Sequence, residues 1–531
     1  MIAVKQKIKK NKYGQYFTPE LIASFMIELA DIQKDSKILE PSSGTGVFLD
    51  LLQKKGFNNF SAFEIDTELA KKHQITKNES FVSAKIEKKY DLIIGNPPYI
   101  RWKNLEDELK NELSTNHLWN KYFNSLCDYS YLFILKSIEL LEENGQLIFI
   151  TPEYWLNTMH SINLRNYMLR NGYFSEIYHF NETPIFEKAT VSTIIFKYIK
   201  TKSSKNQKIN IVKYYANRKL TAQIIENIKN KIVDEKTEVF QTEQFKENDR
   251  WLLTDDKTIK EFQIFEHKCK KQRPEQTLSL FEDSKNNEYH TIGEICEIGN
   301  GMVSGLDKAF QLNGQILNEK EKKNSIKVIK AKNLAPFVYN EITNYIFANE
   351  IPDEKSLKID FPNYFQKLQA FKPQLEKRYQ YNKKIDYWKW VFMRNFNLFN
   401  TEKPRIFVPC KERISNKNYF RFTYVESGIF PTQDVTALFK KDTVKESLYY
   451  ILALLNNHRT FNWLKYNGVV KGNIVEFSEK PIASIPFRKI DWENKIETEI
   501  HKNIVKFCKN YIANKTENTL NKLNQEIDKL F

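Results

Sequence analysis

The sequence predicts an α/β fold, a parallel sheet with helices on both faces, followed by a second domain of mixed α+β character. Three observations predict it. Short apolar strands alternate with helical stretches from Lys37 to about Ile199; two of those strands end in a glutamate; and a third ends in Asn-Pro-Pro-Tyr. Alternation of this kind implies parallel pairing, with ligands held at the carboxyl ends of the strands.

In chain order, "KILEPSSGTGVFLDLLQKKG" reads as strand, small-residue turn and a helix stopping at Gly56. "FSAFEID" is a second strand and "YDLIIGN" another, "YSYLFILKSIELLEENG" has the 3.6-residue period and a Gly stop, "QLIFITP" is a strand, and "VSTIIFKYIK" closes the run. From Thr201 to Thr291 the pattern decays into Lys- and Asn-rich segments, "KKQRPEQTLSLFEDSKNNEYH" being the most loop-like. After Thr291 come short strands ("IKVIKA", "RIFVPC"), aromatic clusters ("DYWKWVFM"), the helical "ESLYYILALLNNHRTFNWLKY" and a polar-faced helical end. The expected organisation is a first domain over residues 1–245, a linker region over 246–290, a second domain over 291–490 and a helical segment over 491–531.

The chain has 531 residues, with 82 Lys+Arg against 66 Asp+Glu, a net +16, and 14% aromatic residues. More than one core is therefore expected, and the basic excess suits a polyanionic partner, although a solvated basic surface would give the same balance. The five cysteines, Cys127, Cys269, Cys296, Cys410 and Cys508, lie far apart without CxxC pairs. Neither a disulfide framework nor a metal site is expected. The basic N-terminus lacks an apolar segment, and no stretch offers the roughly 18 apolar residues of a membrane span, so a cytoplasmic protein is expected.

Glu40 ends the first strand, and Gly44 and Gly46 follow at the mouth of a helix, where a ligand can approach the backbone. A plain tight turn has the same pattern. Glu64, however, ends the next strand about twenty residues on, where a carboxylate accepts both hydroxyls of a ribose. A nucleoside-bearing cofactor fits better than a dinucleotide, because GxGxxG is incomplete. In Asn96-Pro97-Pro98-Tyr99 the two prolines fix φ and remove two donors, leaving an acceptor-rich turn. Such a turn suits a planar –NH2 group whose lone pair is delocalised. The Asn96 side chain and the Pro97 carbonyl would hold its hydrogens and turn the lone pair toward an electrophilic methyl, with Tyr99 as a stacking ring.

The ordered set "GQYFTP", "LEPSSGTG", "FEID", "NPPY" and "GQLIFITPEYW" resembles the gamma-class, TaqI-type amino-group DNA methyltransferases, which methylate N6 of adenine at specific sites. The resemblance covers Tyr13 to about Ile199. It implies a Rossmann-like S-adenosylmethionine-dependent methyltransferase domain followed by a mixed α+β DNA-recognition domain. It also implies double-stranded DNA as substrate, base flipping, and a separately encoded restriction endonuclease as a partner. Cofactor contacts would fall on Thr18, on Glu40, Pro41, Ser42, Ser43, Gly44 and Gly46, on Glu64, and on Pro98; Asn96, Pro97 and Tyr99 would be catalytic; Tyr99 and Phe186 would stack on the base. The family's Asp-Phe pair at the cofactor adenine is replaced by Ser80 and Phe81, with Glu79 a substitute acceptor. "EIGNGMVSGLDKAFQL" resembles the start of a target-recognition domain, "KYNGVVKGNIVEF" carries similar glycines, and Lys330, Lys332 and Asn300 to Asp307 are candidate DNA contacts.

Rival readings are a protein glutamine methyltransferase, which also carries NPPY but in a compact chain, and an N4-cytosine enzyme. A C5-cytosine enzyme would use the Pro-Cys of "VPCKE", but Cys410 lies beyond the cofactor motifs and reads as a core cysteine. A fused nuclease is not expected, since the motifs begin at Tyr13 and no nuclease motif follows.

Overall fold

The computed structural model describes residues 15–186, 192–202, 207–271, 289–414, 417–471 and 473–531. It forms two compact units, one running to Ile259 and the other from Lys260 to Phe531. Tyr13, Gly14, the basic N-terminus and residues 272–288 at the heart of the expected linker lie outside the described residues.

The first unit is built on nine strands: β1 (Ile38–Glu40), β2 (Phe60–Phe63), β3 (Thr76–Lys77), β4 (Tyr90–Gly95), β5 (Leu141–Pro152), β6 (Gly172–His179), β7 (Thr193–Lys200), β8 (Ile209–Tyr214) and β9 (Thr237–Thr242). Their order in the sheet is β3-β2-β1-β4-β5-β7-β6-β8-β9. From β3 to β5 every pair is parallel, as expected. Beyond β5 the expectation of an all-parallel sheet is corrected: β7 runs antiparallel between β5 and β6, and β9 antiparallel to β8. The described part of the connection from β6 to β7 carries no helix, and without a crossover the returning strand must pair antiparallel.

Along β4, Leu92 and Ile94 face one way and Ile93 the other, all three fully buried. The first pair packs with Phe25 and Met26 of the helix Glu20–Glu28; Ile93 packs with Leu132 and Leu135 of the helix Ser130–Leu140. A strand covered on both faces needs this unbroken apolar run. The helix Val47–Lys54 ends at Gly56, whose φ of +81° closes it as the sequence suggests.

The stretch read as decaying after Thr201 holds β8, the helix Ala222–Lys229, β9 and the helix Asp256–Lys268. The expected linker from residue 246 begins as packed core. Trp251 is 1% exposed, stacks on Phe245 at 4.6 Å and meets the edge of Phe174 at 5.3 Å.

The second unit is mixed α+β. One antiparallel sheet joins Cys296–Asn300, Val435–Lys440, Arg405–Pro409 and Thr423–Val425; a second joins Gln311–Leu312, Thr343–Ile346, Ser325–Ile329 and Ile429–Pro431; a third has three short strands. Its core includes Phe310, Tyr345, Trp390 and Phe407, and the indole of Trp390 donates to the Ile346 carbonyl at 2.9 Å. Helices Lys495–Asn514 and Glu517–Asp528 replace the single helical end. Among the described residues no helix is long and apolar enough to cross a membrane.

Candidate active site

The carboxyl ends of β1, β2 and β4 open into a cleft. Thr18, Glu40, Pro41, Ser42, Ser43, Gly44, Glu64, Ser80, Phe81, Asn96, Pro97 and Pro98 all line it, so most residues singled out from sequence are brought together. Glu64 is 5% exposed, and its carboxylate accepts from the Gly44 N–H (2.7 Å) and the Asp66 N–H (2.9 Å). Burial nevertheless holds its pKa above the ordinary value, the two backbone donors pulling the other way. Glu40 is 2% exposed and Oε2 has no hydrogen-bond partner among the described residues. Burial first, then the neighbouring charges of Glu64 and Asp50, push its pKa well above the usual range.

The turn between Glu40 and the helix Val47–Lys54 is tied to β2 and to the end of β4 through two adjacent serines. The Ser43 N–H donates to the Phe63 carbonyl (2.9 Å), and the Ser42 hydroxyl donates to the main-chain carbonyl of Asn96 (3.0 Å). Gly46, at φ +86°, faces away from the cleft: a Cβ there would lie 1.8 Å from Nε2 of His73. Gly44, at φ +54°, leaves its backbone open beside the ring of Phe17.

Asn96 donates its side-chain N–H groups to the Tyr16 carbonyl (2.6 Å) and to Thr18 Oγ1 (3.0 Å). With both donors committed, Oδ1 is left as the amide's acceptor, and the Tyr99 hydroxyl lies against it. That hydroxyl also reaches the Ile150 carbonyl at 2.6 Å. Tyr99 and Phe186 do not line the cleft but form a neighbouring ring cluster with Tyr16, at centroid distances of 5.8 Å (Tyr16–Tyr99), 5.7 Å (Tyr16–Phe186) and 6.5 Å (Tyr99–Phe186). The sequence reading places an open stacking surface at Tyr99 and Phe186, whereas Tyr16 packs on both rings. Residues 187–191, which follow Phe186, lie outside the described residues.

Ser80 and Phe81 sit in the cleft wall with Glu79 beside them. Phe81 is held from below: the ammonium of Lys136 donates to the carbonyls of Phe81 (2.6 Å), Val82 (3.1 Å) and Ala84 (2.6 Å). Sequence reasoning missed Tyr16, Phe17, Leu109, Tyr129 and Phe133, which also line the cleft. The aromatic run "YSYLF" is the signal that pointed to Tyr129 and Phe133, but it reads equally as core. In the second unit, the Cys410 thiol contacts the Gln433 carbonyl and Thr436 Oγ1, and burial raises its pKa, which is the reverse of what a nucleophile needs. Lys330 pairs with Asp307, so its charge is already answered within the protein.

The profile of the Eco57I restriction-modification methylase family matches residues 45–186, and that of the N-6 DNA Methylase family matches residues 3–60. The chain is similar over 522 residues to the Type II methyltransferase M.HindII of Haemophilus influenzae, at 46% identity with 98% of each chain covered. It is 43% identical over 522 residues to the Type II methyltransferase M.HincII of the same species, again with 98% of each covered. Among solved structures, the Type IIL restriction-modification enzyme MmeI in complex with DNA matches 96% of this chain and 71% of its own, with a TM-score of 0.54 and 12% identity. At that identity the likeness concerns the fold alone.

Proposed function

The chain belongs to the gamma-class N6-adenine DNA methyltransferases of Type II restriction-modification systems, and on that premise we propose that it methylates N6 of an adenine turned out of double-stranded DNA, as the modification partner of a restriction endonuclease of the same specificity. Its activity is DNA methylation and its cofactor is S-adenosylmethionine. The division of labour goes with this reading: the first unit carries catalysis and the second target recognition, with base-edge contacts made outside the catalytic cleft.

The cleft fits the cofactor on one observation above all: Glu40 Oε2 is a buried carboxylate oxygen without a donor. The amino-acid portion carries an ammonium that would pair with it, while Glu64, fixed by two backbone N–H groups, keeps lone pairs for a ribose diol. Ser80, Phe81 and the rings of Tyr129 and Phe133 offer a flat slot for the adenine. When bound, the cofactor supplies an electrophilic methyl group on a sulfonium sulfur.

Asn96 Oδ1 and the Pro97 carbonyl accept the two hydrogens of the target amine, which removes its conjugation with the ring and turns its lone pair into the cleft. The amide does not rotate to do this, because Tyr16 and Thr18 hold its nitrogen. The Tyr99 hydroxyl gives up Asn96 Oδ1 and keeps the Ile150 carbonyl, so no hydrogen bond is stranded. Tyr99 and Phe186 then stack on the base in place of Tyr16. No general base is required before attack, because the amine reacts as a neutral nucleophile.

The observation that carries the proposal is the meeting of the Glu40–Glu64 cleft with Asn96 through the Ser42–Asn96 hydrogen bond. Nucleoside analysis by mass spectrometry, after reaction of plasmid DNA with isotopically labelled cofactor, tests it. N6-methyladenine is expected; label in cytosine, or in protein glutamine and not in DNA, would sink the adenine assignment.

A further inference from the structure

We propose that the second unit docks on duplex DNA through a knob formed by Tyr379, Tyr381 and Phe392, the rings lying against base or sugar faces and the adjoining lysines against phosphates; this rests on the reading of the chain as a methyltransferase of duplex DNA. The three rings are 69%, 40% and 44% exposed, yet they touch one another, with centroids 4.7 Å apart for Tyr379–Tyr381 and 5.2 Å for Tyr381–Phe392. An exposed aromatic cluster on a protein surface marks a contact site, whereas single exposed rings do not.

The knob is rigid. Tyr381 and Asn382 both take left-handed conformations, at φ +53° and +60°, which side chains other than glycine adopt at a cost. Gln380 closes the turn, accepting from the Ile385 N–H at 2.8 Å and donating to the Glu376 carbonyl at 3.2 Å. Arg378 lies beneath and spends its guanidinium on the carbonyls of Ser304 (2.9 Å), Asp386 (3.1 Å) and Lys389 (2.6 Å). Phe392 exchanges backbone hydrogen bonds with Val303 at 2.9 and 3.1 Å, so the base of the knob is the loop Asn300 to Asp307 already singled out from sequence. Gly305 permits that approach, since a Cβ there would lie 2.6 Å from Val391 and 2.7 Å from Arg378.

Charge decides the partner. Asp386 is answered by Lys389 at 2.9 Å, and Arg378 is committed to carbonyls. Lys377, Lys383 and Lys384 are exposed without an ion pair among the described residues and outnumber the one exposed carboxylate beside them that also lacks one, Glu376. Three exposed rings with exposed lysines on the same turn suit a duplex, whose sugars and groove walls can take the rings while its phosphates take the lysines, better than an apolar protein face.

The test uses the full chain with unmethylated plasmid restriction fragments. For Y379A/Y381A, fluorescence anisotropy should give duplex affinity reduced tenfold or more, with S-adenosylmethionine affinity by calorimetry and melting temperature unchanged. K383E/K384E should lower the slope of log affinity against log salt by about two, at about 0.9 per phosphate contact. A double tyrosine variant that binds duplex as tightly as the parent, or that loses only self-association in the ultracentrifuge, overturns the knob alone. A parent protein that binds no duplex overturns the proposed function with it.

Discussion

Asn96 has its acceptor aimed before any substrate arrives, because Tyr16 and Thr18 consume both of its N–H groups. Asn96→Ala should therefore lower methyl transfer by about 10²–10³-fold, the scale for losing one preorganised contact to developing charge, while cofactor affinity stays within about threefold. Tyr99→Phe keeps the ring and removes only the hydroxyl that competes for Oδ1, so single-turnover rates should remain within about fivefold of the parent. A parent-like rate for Asn96→Ala would remove the basis of the mechanism. Glu40 supplies a pH prediction. Its folded pKa lies above the ordinary 4.5, so the folded protein keeps a proton that the unfolded chain has lost, and stability falls as pH rises from about 4.5 toward that raised value. A cationic ligand reverses the preference. Cofactor affinity should climb over the same interval and level off once Glu40 is ionised in the empty cleft, and Glu40→Gln should flatten the profile; an unchanged profile in calorimetric titrations would show that Glu40 does not face the ammonium. Glu40, Glu64 and Asn96 were legible in the sequence because each ends a short apolar strand, and the chemistry at strand ends follows from residue type. Tyr16, Tyr129 and Phe133 were not, because their approach to the cleft depends on how their segments lie under the sheet, which no spacing along the chain encodes.

At the scale of elements, β1, β4, β7 and the second half of β5 were readable as buried apolar runs, and β2 as a half-buried one. The strand β6 was not, because "GYFSEIYH" mixes Glu176 and Ser175 into the run, and β8 and β9 sit toward the sheet edge where polar residues are tolerated. The indole of Trp251 makes the consequence measurable. It fills the space between Phe245, Phe174 and Trp155 near the start of a segment that composition alone assigns to a linker. Trp251→Ala should cost about 3–5 kcal/mol, as expected for emptying an aromatic site in a core. Denaturant melts of the full chain check this; a loss under about 1 kcal/mol, the range of surface substitutions, would mean that the segment hangs free. The aromatic knob of the second unit was equally illegible, since the polar "YQYNKK" reads as a turn and nothing in it shows that its two rings meet Phe392, eleven residues on from Tyr381.

Two units with separate cores set the behaviour of the whole molecule. Differential scanning calorimetry should resolve two transitions, and S-adenosylmethionine should raise only the one belonging to the unit that ends at Ile259. At a hundredfold excess over its dissociation constant the stabilisation is about 2.7 kcal/mol. Equal shifts of both transitions would argue that the two units melt as one. The place of β7 in the large sheet sets the order in which the chain becomes whole. Thr193 to Tyr198 are all buried, wedged antiparallel between β5 and β6, both of which precede it in the chain. Until that strand inserts, its two neighbours present unpaired edges across the middle of the sheet, and such edges recruit other chains. A nascent chain released or stalled before residue 200 would therefore be a sticky half-sheet, and refolding from denaturant should lose yield to aggregation as protein concentration rises.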